Sequence, residues 1–295
     1  MTGAPPPDPT APSRSEKRWL RQGAVRPRRS LGQNFLVNPR VRDALVARWD
    51  IAAADTVVEI GAGAGALTIP LLDRARRVIA VERDRSLCLL LASRAAEERP
   101  GAALEILHRD ARRLDPRELT SAGGRPPMVL VGNLPYAVTS PLLLWILENR
   151  RLFRWASIMV QREYAGRLLA SPGSPGGSSL TVWTAFHARV ELEMKVSAGA
   201  FWPRPDVDST VVRMIPRSAS PFPLEDPAWL EKSLRASFGQ RRKQLGGALA
   251  SAMGWSRPDT DRLLGGLGLD PARRGETLTL EEHVRLAARV GPLLP

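Results

Sequence analysis

Several residues in this chain are of types and spacings that could do chemistry on a nucleotide-like ligand. Gly61, Gly63 and Gly65 stand in TVVEIGAGAGALT, directly after a strand-forming run and before a helical pattern. Glycine at such a turn lets backbone approach a ligand closely at the carboxyl end of a parallel strand, where open α/β sheets bind their ligands. The next apolar run, RVIAVE, ends in Glu82, 21 residues beyond Gly61, where a carboxylate can accept hydrogen bonds from ribose hydroxyls. Asp110, in HRDARRLD, follows a third run and could meet an adenine amino group, although an aspartate there serves equally as a turn or helix N-cap. NAD and S-adenosylmethionine both fit these features.

A fourth run ends in Val131-Gly132-Asn133-Leu134-Pro135-Tyr136. An amide, a proline-stiffened turn and an aromatic ring at a strand's carboxyl end make a pocket for a planar, amine-bearing base. Asn133 can accept a hydrogen bond from an exocyclic amine through its side-chain oxygen, and Tyr136 can stack on the ring. In isolation the tetrapeptide is an ordinary turn. Following the glycine turn, Glu82 and Asp110 in that order, it looks like the signature of amino-group methyltransferases.

The elements that must hold these residues follow from the apolar patterning. Strands are expected at 56–60, 77–82, 104–107, 128–132 and 155–160, with helical patterns beginning at Ala64, Arg85 and Ser140. Such alternation implies parallel strands with crossover helices. Residues 171–179 (SPGSPGGSS) read as a loop, and 187–195 and 209–215 alternate as strands expected to pair antiparallel at the sheet edge. Helices are expected at 229–238, 241–253, 259–267 and 280–290. The predicted organisation is a disordered basic arm over 1–30, an α/β domain over 31–216 and a small helical domain over 217–295.

Composition sets the class of partner. The 295 residues carry 43 Lys+Arg against 30 Asp+Glu, a net charge of +13, which points to a polyanion. An arginine-rich genomic bias explains arginine over lysine but not the net excess. One cysteine, Cys88, excludes an intrachain disulfide framework, and three scattered histidines form no zinc-like cluster, so no metal is expected. No apolar run is long enough to cross a bilayer, and a cytoplasmic protein is expected.

From about Arg28 to Val290 the chain resembles the ribosomal RNA adenine N6-dimethyltransferases. The resemblance rests on LGQNFL (31–36), VVEIGAGAGALT (57–68), AVE (80–82), the Asp110 turn, GNLPY (132–136), MVQREYAGRL (159–168), AFWPRPDVDSTVV (200–212) and FGQRRKQL (238–245). It implies a Rossmann-like S-adenosylmethionine-dependent methyltransferase sheet with antiparallel edge strands, plus the small C-terminal helical domain. The QRRKQL segment and the late GLDPARRGETLTLEE resemble the housekeeping small-subunit enzyme, which dimethylates two adjacent adenines near the 3′ end of 16S rRNA. The resistance-conferring branch, acting on one adenine of 23S rRNA, is the alternative, and a non-catalytic RNA-binding assembly factor on the same fold is another.

By resemblance, Gln33, Asn34 and Leu36 close over the methionine end of S-adenosylmethionine, Gly61 and Gly63 approach it through backbone, and Glu82 holds the ribose. Asp110 and Ala111 would meet its adenine, with Asn133 at the boundary between cofactor and target base. Asn133, Leu134, Pro135 and Tyr136 would form the reacting end, with Phe201 facing Tyr136 across the target adenine or lying in the core. Arg241, Arg242 and Lys243 would contact phosphates of 16S rRNA in a small-subunit precursor particle, though three basic residues also suit a solvated helix start. A monomer without membrane or metal partners is expected. Three departures stand out: Ala62 replaces the family's usual proline, the 171–179 loop lacks its tyrosine, and the basic arm is longer.

Overall fold

The computed structural model describes residues 16–23, 25–28, 32–135, 138–240 and 243–294. They divide into two compact units, Met1–Arg162 with Leu192–Arg213, and Glu163–Glu191 with Met214–Pro295. The boundary expected at residue 216 is therefore not a single crossing, because Glu163–Glu191 cluster with the C-terminal helices.

The first unit begins with helix α1 (Glu16–Gln22), a two-residue strand β1 (Phe35–Leu36) and helix α2 (Pro39–Arg48). Helix α1 corrects the expectation of a disordered arm over 1–30 for the residues described: Trp19 and Leu20 are buried there, as is Glu16. Strand β2 (Thr56–Ile60) is buried along its length, as a strand covered on both faces must be. It is followed by α3 (Thr68–Leu72), β3 (Arg77–Glu82), α4 (Arg85–Glu98) and β4 (Leu104–His108). Helix α3 starts four residues later than the pattern from Ala64 predicts. Gly61, Gly63 and Gly65 hold φ of 75°, 57° and 89°, which no right-handed helix accommodates. Helix α5 (Pro116–Ser121) then leads to β5 (Met128–Asn133), α6 (Thr139–Glu148) and β6 (Phe153–Gln161).

Helices α7 (Arg162–Leu169) and α8 (Ser179–His187) precede strands β7 (Ala188–Val196), β8 (Phe201–Trp202) and β9 (Ser209–Pro216). The seven-stranded sheet runs β4-β3-β2-β5-β6-β9-β7. Pairings β3–β4, β2–β3, β2–β5 and β5–β6 are all parallel. Because the chain leaves β2 toward β3 and β4 and later returns to β5 on the other side, a topological switch point opens between the carboxyl ends of β2 and β5. Ile60 faces Gly132 there, and a Cβ on Gly132 would lie 2.6 Å from the Ile60 carbonyl oxygen, so only glycine fits.

Helices α9 (Pro227–Phe238), α10 (Leu245–Met253), α11 (Arg257–Gly266) and α12 (Leu280–Val290) complete the second unit. Leu245, Leu249, Leu264 and Leu286 form one of its clusters, and Val182 and Phe186 of α8 pack with Leu230 and Leu234 of α9 in another. Helix α10 was expected from Arg241. It starts at Leu245, whose N–H donates to the Arg273 carbonyl, while the Gly246 N–H donates to that of Pro271, so the 271–273 segment satisfies its first turn.

Candidate active site

One cavity at the switch point gathers most of the residues singled out from sequence. Gln33, Asn34 and Leu36 line it together with Gly61, Gly63, Glu82, Asp110, Ala111, Asn133, Leu134 and Pro135. They come from five separate stretches of chain: four follow the carboxyl ends of β2, β3, β4 and β5, and the fifth is the segment entering β1.

The glycine turn forms the floor. A Cβ added at Gly61 would stand 3.3 Å from the Asn133 carbonyl oxygen, and one at Gly63 3.4 Å from the Phe35 ring. Glu82 ends β3 beside it. One carboxylate oxygen accepts from the Gly63 N–H at 2.9 Å, and the other from the N–H groups of Arg83 and Asp84 at 2.7 and 2.8 Å. Burial raises the Glu82 pKa against the pull of these three donors. Since a carboxylate has about four acceptor sites, capacity remains for a hydroxyl donor from a ligand.

Asp110 takes the turn-capping role and stands at the cavity. It caps the short 3₁₀ turn Ala111–Arg113 by accepting from the Arg112 N–H, and it lines the cavity. The Arg112 guanidinium, 2.6 Å away, holds its carboxyl down at about 2, so it is an acceptor at all physiological pH. Gln33 ties β1's approach to this side: its Nε2 donates to Asp84 at 3.4 Å and its Oε1 accepts from the Arg28 N–H at 2.8 Å.

At the β5 end, the Asn133 side-chain Nδ2 donates to the Asn34 carbonyl oxygen at 2.8 Å. The acceptor end of that amide is therefore Oδ1. Leu134 is buried, its N–H donating to the Met159 carbonyl at 3.1 Å, which fixes the turn to β6. Tyr136 lies outside the described residues, as do Arg241 and Arg242. Lys243 is exposed in the turn before α10.

Phe201 is not brought to the cavity. Paired with Leu36 across β1 and β8, it is 4% exposed and absent from the lining, and Tyr136, the ring it is expected to face, lies outside the described residues. Phe35 lines the cavity and stacks on Trp202 with centroids 6.3 Å apart. Glu59 was also missed. It lines the cavity while buried, hydrogen-bonded to the Thr68 hydroxyl, and burial pushes its carboxyl up to about 8. Its signal was a carboxylate inside the otherwise apolar strand TVVEI. Asp110, held ionised by Arg112, and the Glu82 carboxyl at the end of β3 suit a ligand that carries hydroxyl or amino donors, while the buried Glu59 carboxyl holds its proton.

This sheet order, with a glycine turn and an acidic strand end around one switch-point cavity, is that of the Rossmann-like S-adenosylmethionine-dependent methyltransferases. The sequence profile of the family described as ribosomal RNA adenine dimethylase matches residues 24–266, and the chain belongs to that family. It is an adenine dimethyltransferase whose methyl donor is S-adenosylmethionine. The ribosomal RNA small subunit methyltransferase A of Acidothermus cellulolyticus is 40% identical over 269 residues, 90% of each chain. Among solved structures, a dimethyladenosine transferase from Plasmodium falciparum superposes with a TM-score of 0.70 at 27% identity, over 85% of this chain and 95% of that one. The 23S rRNA methyltransferase ErmE gives 0.64 at 26%, over 87% and 99%. Among the described residues no helix is long and apolar enough to cross a membrane.

Proposed function

We propose that this enzyme transfers methyl groups to N6 of two adjacent adenines in the 3′-terminal hairpin loop of 16S rRNA. It acts as a cytoplasmic monomer on a small-subunit precursor particle during ribosome biogenesis. The observation that carries this reading is the Asn133 amide at the switch point, held by the Asn34 carbonyl so that Oδ1 is its acceptor. The small-subunit target is supported by the QRRKQL segment and by the name of the 40% identical relative.

When bound, S-adenosylmethionine supplies an electrophilic methyl group on a sulfonium. Glu82 holds its ribose, Asp110 and Ala111 border its adenine, and Gln33, Asn34, Leu36, Gly61 and Gly63 enclose the remainder. An adenine amine is a poor nucleophile because its lone pair is delocalised into the ring. Asn133 Oδ1 and the Leu134 carbonyl accept its two hydrogens, which favours a pyramidal nitrogen with its lone pair directed into the cavity. Both acceptors also stabilise the positive charge that develops on nitrogen. No strong base is needed, since the proton leaves afterwards to solvent. After one methylation a single N–H remains, and the amine must rotate to present its lone pair again.

Pro135 stiffens the turn, and Tyr136 stacks on the base once it leaves its own stack, a step that is cheaper in a hairpin loop than in a duplex. Phe201, carried on β8 beside Leu36, faces Tyr136 across the target adenine. Arg241, Arg242 and Lys243 contact phosphates of the RNA. The test is mass-spectrometric mapping of dimethyladenosine in 16S and 23S rRNA from cells lacking and then regaining this protein. Restoration at two adjacent 16S adenines is expected. Restoration in 23S rRNA instead would assign the ErmE-like activity.

A further inference from the structure

We infer that helix α1 is a wall of the methyl-donor pocket and that the Glu16–Arg94 ion pair is the latch that positions it. Two residues of α1, Glu16 and Leu20, line the same cavity as Gly61, Glu82 and Asn133. The helix reaches that place through α4. Arg94 is 0% exposed, and its guanidinium grips Glu16 with two hydrogen bonds, Nη1 to Oε2 at 2.6 Å and Nη2 to Oε1 at 2.8 Å. Its Nη1 also donates to the Ala64 carbonyl oxygen at 2.9 Å, inside the glycine turn.

One buried cation thus joins the N-terminal helix, α4 and the loop on which the donor rests. Glu98 reinforces the joint by accepting from Arg94 Nε at 3.2 Å and from the Trp19 indole N–H at 2.6 Å, with the guanidinium 5.6 Å from the Trp19 ring centroid. Arg42, 3.6 Å from the Glu16 carboxylate, brings a second cation to it. Just beyond the helix, a Cβ on Gly23 would strike Leu90 at 2.8 Å, so the chain leaves α1 pressed against α4.

Two features make this more than a staple for stability. A fully desolvated guanidinium is costly unless each of its partners is in place. Loss of Glu16 would therefore disturb the Arg94 contact to Ala64 as well as free the helix. Leu20 touches the cavity without taking part in the ion pair, so the wall and the latch can be separated by mutation. Glu16, Arg94 and Leu20 are positioning residues, acting on the donor through the shape of its pocket.

The test is isothermal titration of the full-length protein with S-adenosylhomocysteine, which occupies the donor site without reacting, together with steady-state kinetics and thermal unfolding. Binding to the wild-type chain checks the assignment of the cavity itself, independently of α1. Glu16→Gln should weaken binding about tenfold, and Leu20→Ala several-fold, with the kinetic loss falling on KM for S-adenosylmethionine more than on kcat. Substituting the exposed Lys17 or Arg18 of the same helix by alanine should leave the affinity as it is. Unchanged affinity in both Glu16→Gln and Leu20→Ala, even with a lowered unfolding temperature, would overturn the inference and reduce α1 to a staple. Should Glu16→Gln fail to fold, Leu20→Ala decides alone, since it leaves the ion pair intact.

Discussion

The side-chain Nδ2 of Asn133 donates to the backbone carbonyl of Asn34 across 99 residues of sequence, at 2.8 Å. That single bond joins the end of β5 to the segment entering β1 and leaves Oδ1 as the free end of the amide that the proposed chemistry uses. An aspartate at position 133 keeps acceptor oxygens but loses the donor, setting a carboxylate against the Asn34 carbonyl. Asn133→Asp should therefore lower kcat by about 10²-fold, the scale of a misplaced reacting group. Single-turnover methyl transfer to RNA checks this, and a near-normal rate would show that the Asn34 tie does not orient the amide.

Glu82 should control affinity for the donor more than the chemical step. Glu82→Gln preserves shape but removes one acceptor oxygen and the charge, forcing a choice between the loop N–H groups and the ribose. A charged hydrogen bond contributes roughly 1.5–3 kcal/mol, so donor binding should weaken by about 10- to 100-fold. Calorimetric titration with S-adenosylhomocysteine measures it, and unchanged affinity would remove Glu82 from the pocket's recognition of ribose.

How far the sequence exposed this architecture depended on the range of the forces involved. Strands β2 and β3 fall on the residues expected because buried runs of Val, Ile and Ala, interrupted in β2 by Glu59, leave little choice. The glycine turn, Glu82 and Asn133 were legible for the same reason, since each sits at the end of such a run, and Asp110 follows the half-buried β4. Helix α8 was not. Its Thr, Val, Trp and Phe content favours strands, and the helix forms because Ser178 and Thr181 make a capping box while Val182 and Phe186 enter a core with α9. Helix α1 was hidden by the Pro-, Ala- and Arg-rich composition around it, because its anchor, Arg94, lies 78 residues from Glu16. The burial of Phe201 depends on pairing with Leu36, another long-range contact invisible to local pattern.

Glu59 gives stability a pH dependence of definite sign. Burial raises its carboxyl from an ordinary 4.5 to about 8, so the folded state holds its proton more tightly than the unfolded chain. That contribution is complete below about 4.5 and is lost as pH rises toward and through 8. Glu59→Gln lacks this loss, so its stability relative to wild type should grow between pH 5 and pH 8.5. Urea unfolding at both pH values measures the difference, and a constant difference would contradict the assignment.

His283 acts with the opposite sign in the helical unit. Its Nε2 donates to the Gly275 carbonyl at 3.0 Å, and its ring stacks on Phe238 with centroids 5.5 Å apart. Burial lowers its pKa from 6.5 to about 4. The stability linked to the neutral ring is present above 6.5 and is lost as pH falls through 4. An NMR titration of the three histidines should find one with a midpoint far below the ordinary value, and normal titration of all three would refute this.

Everything in the proposed chemistry converges on the acceptor carried by Asn133, so the decisive measurement is methyl transfer by Asn133→Ala at saturating RNA and S-adenosylmethionine. Retained donor binding, with dimethyladenosine formation slowed at least about 10²-fold, is the predicted result. Turnover close to wild type would contradict the account, because the target amine would then be oriented without the β5 amide.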